Sequence, residues 1–246
     1  MLRYPYPTCI FCGEKANSRE HAIPKWLSKR FGLEGIMLHS AESSGVQAPR
    51  KQPISFASHR ARIMCSDCNT HFKHLEDSAI PIIEPMARGQ QIVLGDTERK
   101  IAAVWGAKTG IALISAERWL RELVPIEHRL TIRQLGEVPE SIWVSYTPWQ
   151  GAMHAYVGDH TFLDQTVDPP RPYRAYGAVL IFAHLALKVL GLVHFPLANQ
   201  IIEGDMPSIK QVWPDKGYPI RWPPPVPAKE GNFQTLIDFV PLQLRA

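Results

Sequence analysis

Cys9-Ile10-Phe11-Cys12, followed by Ser18-Arg19-Glu20-His21-Ala22-Ile23-Pro24, belongs with Cys65-Ser66-Asp67-Cys68-Asn69, followed by Thr70-His71-Phe72-Lys73-His74-Leu75-Glu76. Together these pieces hold all four cysteines of the 246-residue chain, as two Cys-x-x-Cys pairs with 52 residues between Cys12 and Cys65. Two such pairs supply the four thiolates of a tetrahedral structural zinc site. The ordinary alternative is isolated thiols or a redox pair. Next to the cysteines stand Glu20, His21 and Asn69, residue types that act as ligands and bases more often than as packing. That adjacency is the reason to expect chemistry here.

Working outward, residues 18–23 read as a short strand ending near His21, and Pro24 as the first position of a short amphipathic helix over 25–31. Residues 33–53 read as a loop. A second strand is expected within 54–64, leading into Cys65. A helix is expected from Asp67, capped by Asp67 and carrying Asn69, His71, Lys73, His74 and Glu76. On it Asn69, Lys73 and Glu76 share one face, at i, i+4 and i+7. Pro81 and Pro85 mark the exit from this segment.

The remainder changes character. Residues 95–98 start a helix, with Ile101, Val104, Trp105, Lys108, Ile111 and Ala112 at helical spacing. Further helical pieces are expected over 116–124 and 126–135. Strands follow over 141–146 and 152–157, linked through 148–151, then a buried strand over 178–183 with 185–193 as its continuation or hairpin partner. The tail is proline-rich and reads as a wrapped surface segment. The expected fold class is therefore α+β. A zinc-bound ββα module over residues 1–85 is followed by a helix-then-strand α+β domain over 86–246.

Composition bounds the function. Hydrophobic residues at 45% and charged ones at 20% fit a globular protein. The first seven residues contain no apolar core of a signal peptide, and the longest uncharged apolar run, 175–187, is too short to span a bilayer. A cytoplasmic protein with no membrane partner is expected. The net charge is +4, and residues 1–80 alone hold 11 Lys and Arg against 7 Asp and Glu, so the surplus sits with the cysteines. That placement suits a nucleic-acid partner.

Cys-x2-Cys, Glu-His-x-x-Pro and Cys-x2-Cys-Asn resemble the zinc-stabilised HNH endonucleases, with their ββα-metal fold. More narrowly, residues 18–27, Cys68-Asn69 and Leu75-Glu76 are similar to a bacterial group of HNH-like proteins. That group also tends to carry a Trp-x-x-Lys-Thr helix, here Trp105 to Thr109, and a late Trp-Pro pair, here Trp213-Pro214. The resemblance implies a metal-dependent endonuclease on DNA. His21 would be the general base, Glu20 and Asn69 would hold Mg²⁺ or another divalent cation, and Cys9, Cys12, Cys65 and Cys68 would hold zinc. No asparagine occurs between His21 and Cys65, and His59 stands nearest to that missing orienting position. His71, His74 and Glu76 are further neighbours of the site, the histidines as alternative ligands. Asn69 could instead serve as a helix cap, and Glu20 as a partner that orients His21. Two other functions fit the same residues: a zinc-dependent nucleic-acid-binding or adaptor protein without hydrolysis, and a gated nuclease effector of bacterial defence.

Overall fold

The cysteine pairs frame a short ribbon and a long helix. The ribbon joins β1 (Glu20–His21) to a partner forty residues on; between them lie α1 (Lys25–Phe31) and the hairpin β2 (Ile36–Ser43) and β3 (Gln47–Ser55). The partner is β4 (Arg60–Ala61), which leads into α2 (Ser66–Ala87). Then come β5 (Ile92–Leu94), α3 (Asp96–Ala116), a 3-10 turn (Arg121–Leu123), α4 (Ile126–Leu130) and a π-turn (Thr131–Leu135). β6 (Ile142–Gln150), β7 (His154–Asp164), β8 (Arg171–Phe182) and β9 (Leu185–Leu192) follow. The tail adds β10 (Ile201–Ile202), β11 (Lys210–Trp213), β12 (Ile220–Trp222), β13 (Ala228–Lys229) and β14 (Gln243–Leu244). This computed structural model describes residues 8–18, 20–33, 36–43, 47–55, 60–164, 169, 171–193, 201–202, 209–214, 217–232 and 243–244. The architecture is α+β. No helix among the described residues is long and apolar enough to cross a membrane.

An eight-stranded sheet runs β11-β6-β9-β8-β7-β2-β3, with β13 beside β6. Its pairs are antiparallel except β2 with β7 and β13 with β6. Every residue of β9 is buried, as are the last eight of β8, because both faces are covered. One face (Val144, Tyr146, Leu187, Val189) belongs to the core shared with the helices; the other (Trp143, Tyr156, Val179, Leu190) forms a second cluster. The period of two thus sorts each strand between two cores. β6 and β7 follow one another in the chain but do not pair. Residues 151–153 carry the chain past the β8–β9 turn, where the Trp149 N–H donates to the His184 carbonyl at 2.9 Å.

α3 is the hub of the helical layer. Residues 102–115 are all buried, so no single apolar stripe marks it. It meets the sheet without side-chain spacers at Gly106 and Gly110. A Cβ on Gly106 would lie 2.7 Å from Val144 Cγ1 and 2.9 Å from the Tyr146 hydroxyl, and one on Gly110 would lie 2.7 Å from Val189 Cβ. The Tyr146 hydroxyl in turn donates to the Ala102 carbonyl at 2.8 Å, satisfying a phenol that burial keeps protonated.

Three expectations change. Residues 33–53 are not a loop: β2 and β3 pair with each other, and β2 lies parallel to β7. That pairing is with a partner far away in sequence, which local composition cannot signal. Pro81 and Pro85 lie inside α2 instead of ending it. The carbonyls they leave without donors belong to Asp77 and Pro81, exposed residues that can face water. The division expected at 85/86 therefore falls within α2, and the main core draws on residues from Cys9 to Trp222. The proline-rich tail contributes strands, with β11 on β6 and β12 on β5.

Gly110→Ala tests the close approach. Alanine favours a helix by about 1 kcal/mol, but overpacking against Val189 costs about 1–3 kcal/mol. A urea melt should show net destabilisation. A stabilised variant would mean that α3 does not rest on β9 at this distance.

Candidate metal centre and its surroundings

The four cysteine sulfurs lie within 4.8 Å of one another. Cys12 Sγ and Cys65 Sγ are 3.6 Å apart, and all four cysteines are free thiols. Disulfide sulfurs would be about 2.05 Å apart, whereas a tetrahedral zinc with about 2.3 Å bonds sets its sulfurs about 3.8 Å apart. The donor set fits such an ion. Cys9, Cys65 and Cys68 are buried and Cys12 is exposed, so the cluster has one open side.

Hydrogen bonds to the backbone hold the knuckles together apart from any metal. The Ile10 N–H donates to the Ile63 carbonyl at 2.8 Å, and Ser18 reaches the Met64 carbonyl with its hydroxyl at 2.8 Å. Gly13, at φ 81, closes the first turn on the Cys9 carbonyl. The second knuckle begins α2, and here the expected cap is corrected. Cys65 is the N-cap, its sulfur accepting from the Cys68 N–H at 3.4 Å, while Asn17 Oδ1 accepts from the Ser66 N–H at 2.8 Å. Asp67 lies in the first turn, where its charge suits the helix dipole. Asn69 is half-buried and donates its backbone N–H to the Cys65 carbonyl at 3.0 Å, so it is not a cap either.

Arg133, on the π-turn, donates from Nε to Cys68 Sγ at 3.3 Å. Four thiolates around one dication would leave about two negative charges, which this guanidinium is placed to offset. Sequence reading had no means to find it, since 64 residues separate it from Cys68 and no motif marks it. Asn17 was equally silent: a capping residue is recognisable only next to the helix it caps, and Asn17 is far from Ser66 in the chain. Without metal the thiols differ. Burial, joined by Cys9 and Cys65, pushes Cys12 up to about 11. Burial also raises Cys68. At Cys65 burial works the same way, but the Cys68 N–H and the neighbouring thiols outweigh it and pull the group below the usual thiol value.

His21 lies on β1, half-buried and in register with Arg60, while Glu20 pairs with Ala61. The strand is shorter than expected, because the chain turns after His21 through buried Ala22 and Ile23 into α1. His59 lies outside the described residues. On α2 the expected site neighbours separate. At about 100° per residue, Lys73 and Glu76 lie about 40° and 20° from Asn69 around the axis, whereas His71 and His74 lie about 160° and 140° away. Glu76 is engaged by Lys108 Nζ at 2.7 Å; Lys108 is buried, with its ammonium 5.7 Å from the centre of the Phe72 ring. His71 is held below the usual imidazole value by burial, then by Arg133 and His74.

A second cluster has the outline of a catalytic triad and a different chemistry. Ser141 Oγ is 2.7 Å from His128 Nε2, and His128 Nδ1 is 2.7 Å from the Tyr176 hydroxyl. Tyr176 is buried and keeps its proton, because burial raises its pKa far above the usual phenol. A protonated phenol thus stands where a triad has its carboxylate, so no anion backs the imidazole from Nδ1. The chain of bonds braces β8 against α4. No protein-family model matches this sequence, nor does any curated protein or solved structure.

Zinc binding should follow from the thiol chemistry. Elemental analysis should find one zinc per chain at neutral pH. Protons compete for raised thiols such as Cys12, so a chelator should strip the metal increasingly readily as pH falls, with loss by about pH 5. Cys65→Ser should abolish stoichiometric zinc and lower the melting temperature. A wild-type melt in that variant would remove the cluster's structural role.

Proposed function

We propose that the protein is a metal-dependent HNH-type endonuclease acting on DNA, with β1, β4 and the start of α2 as its ββα-metal module. One observation carries this reading: β1 pairs with β4, α2 follows, and the four thiols gather at the start of that helix beside Asn69. The basic surplus of residues 1–80 supports a polyanionic partner. In this scheme His21 takes a proton from the attacking water, a task suited to a group titrating near neutrality. Glu20 and Asn69 supply oxygen ligands, which suit a hard cation that keeps most of its water shell. That cation would absorb charge at the phosphate and the leaving oxygen. Zinc keeps the helix start in place and takes no part, since four thiolates leave it no open position.

A second reading is a nucleic-acid-binding or adaptor protein without hydrolysis. It is favoured by the engagement of Glu76 with Lys108 and by the position of His71 and His74 on the far side of α2. Both leave few groups beside Asn69 to hold a cation.

Plasmid cleavage across a Mg²⁺ and Mn²⁺ series separates the two. His21→Ala should keep zinc and DNA binding and lose at least about a hundredfold in cleavage rate. Asn69→Ala should lose rate but recover in part at high metal, as expected of a lost ligand. An active His21→Ala protein ends the proposed mechanism. Salt-sensitive DNA binding by an inactive wild type supports the second reading instead.

A further inference from the structure

A cleft of about 170 Å³ opens between α2, α3 and the π-turn, on the side of α2 away from Asn69. Phe72, Val104 and Ile132 form its floor and are buried. Leu75 and Ile101 form its walls and remain only partly covered. Left open to water, such walls forgo about 25 cal/mol for each Å² of apolar surface that an occupant would cover.

The cleft stays open for a backbone reason. α4 passes into a π-turn at Thr131–Leu135, and Gly136, at φ 64, ends it in the left-handed region. A π-turn carries one more residue per turn than an α-helix, and such segments occur often at functional sites. Here it supplies Ile132 to the floor and Gly136 to the rim.

Size and charge narrow the occupant. A dry cavity of about 150 Å³ accepts a benzene ring, so this cleft has room for one ring or branched chain with a small polar group at the mouth. None of the lining residues is acidic. Lys100 stands at the mouth, exposed and without an ion-pair partner among the described residues. The Arg133 guanidinium is turned to Cys68 Sγ at 3.3 Å, so Lys100 is the charged side chain that the cleft itself presents. We propose that this cleft binds a small carboxylate with an aromatic or branched apolar body, its carboxylate facing Lys100. Binding there requires neither DNA nor hydrolysis.

Phenylacetate is the probe, titrated into the zinc-loaded full-length protein and followed through the amide NMR signals of Ile132, Arg133 and Gly136. The shifts should saturate, with half-effect at about 0.1–1 mM for a ligand of about ten heavy atoms. Lys100→Glu, at an exposed position, should weaken binding about tenfold by reversing one rim charge. Val104→Trp should abolish it by filling the floor; if that variant melts early, Ile101→Trp on the partly exposed wall replaces it. Three results overturn the assignment: no saturation by about 20 mM, equal binding of benzylamine, or unchanged binding in a folded cleft-filling variant.

Discussion

Four sulfurs within 4.8 Å of one another determine where α2 begins, and much of the molecule hangs on that helix. Twenty-two residues at about 1.5 Å each make a rod of about 33 Å. Its first turn is fastened by Cys65, Asn17 and the knuckle backbone. Its last turn is fastened just as firmly. The Trp222 indole donates to the Met86 carbonyl at 3.1 Å, and the His184 N–H to the Ala87 carbonyl at 3.1 Å. A helix normally leaves its final carbonyls to water or a cap. Here the sheet's hairpin turn and the tail occupy them, so the cysteine cluster and the sheet are joined by a strut pinned at both ends.

The middle of the strut is set by a charge. Lys108 is almost fully buried, and Glu76 beside it is 20% exposed. Removing Glu76 would strand an ammonium inside the core, a loss of about 3–5 kcal/mol, whereas replacing both groups by apolar ones could be neutral. The pair therefore contributes less to net stability than to alignment. It fixes how far α2 slides along α3, and hence the height of Asn69 above the core. Gly106 and Gly110 set the other coordinate of α3, its distance from the sheet.

Parts of this arrangement were legible in the sequence because their signals are local. The Cys-x-x-Cys spacing foretold the thiol cluster, and Pro24 marked the start of α1. The start of α3 at Asp96 and the buried strand β8 were likewise readable, while 185–193 stood open between a continuation of β8 and its hairpin partner. What stayed hidden depends on partners distant in the chain. β2 becomes a strand by lying beside β7, and the contacts of Arg133 with Cys68 and Asn17 with Ser66 arise only after folding. The prolines misled for another reason. A proline stops a helix when the freed carbonyl is trapped inside, and these two carbonyls belong to exposed residues.

The two sides of α2 now carry different chemistry from one origin. One side holds Asn69 and Glu76 and faces Lys108; the other holds His71 and faces the π-turn. Cys68 lies between them and accepts from Arg133, so the cluster and the π-turn meet at the residue directly before Asn69. A shift of the π-turn would take a hydrogen bond away from the first turn of α2. The geometry ties Asn69 to both through the backbone, because its own N–H closes on the Cys65 carbonyl, one more ligand-bearing residue of the same turn. Anything that loosens the cluster therefore unsettles both sides of the helix at once.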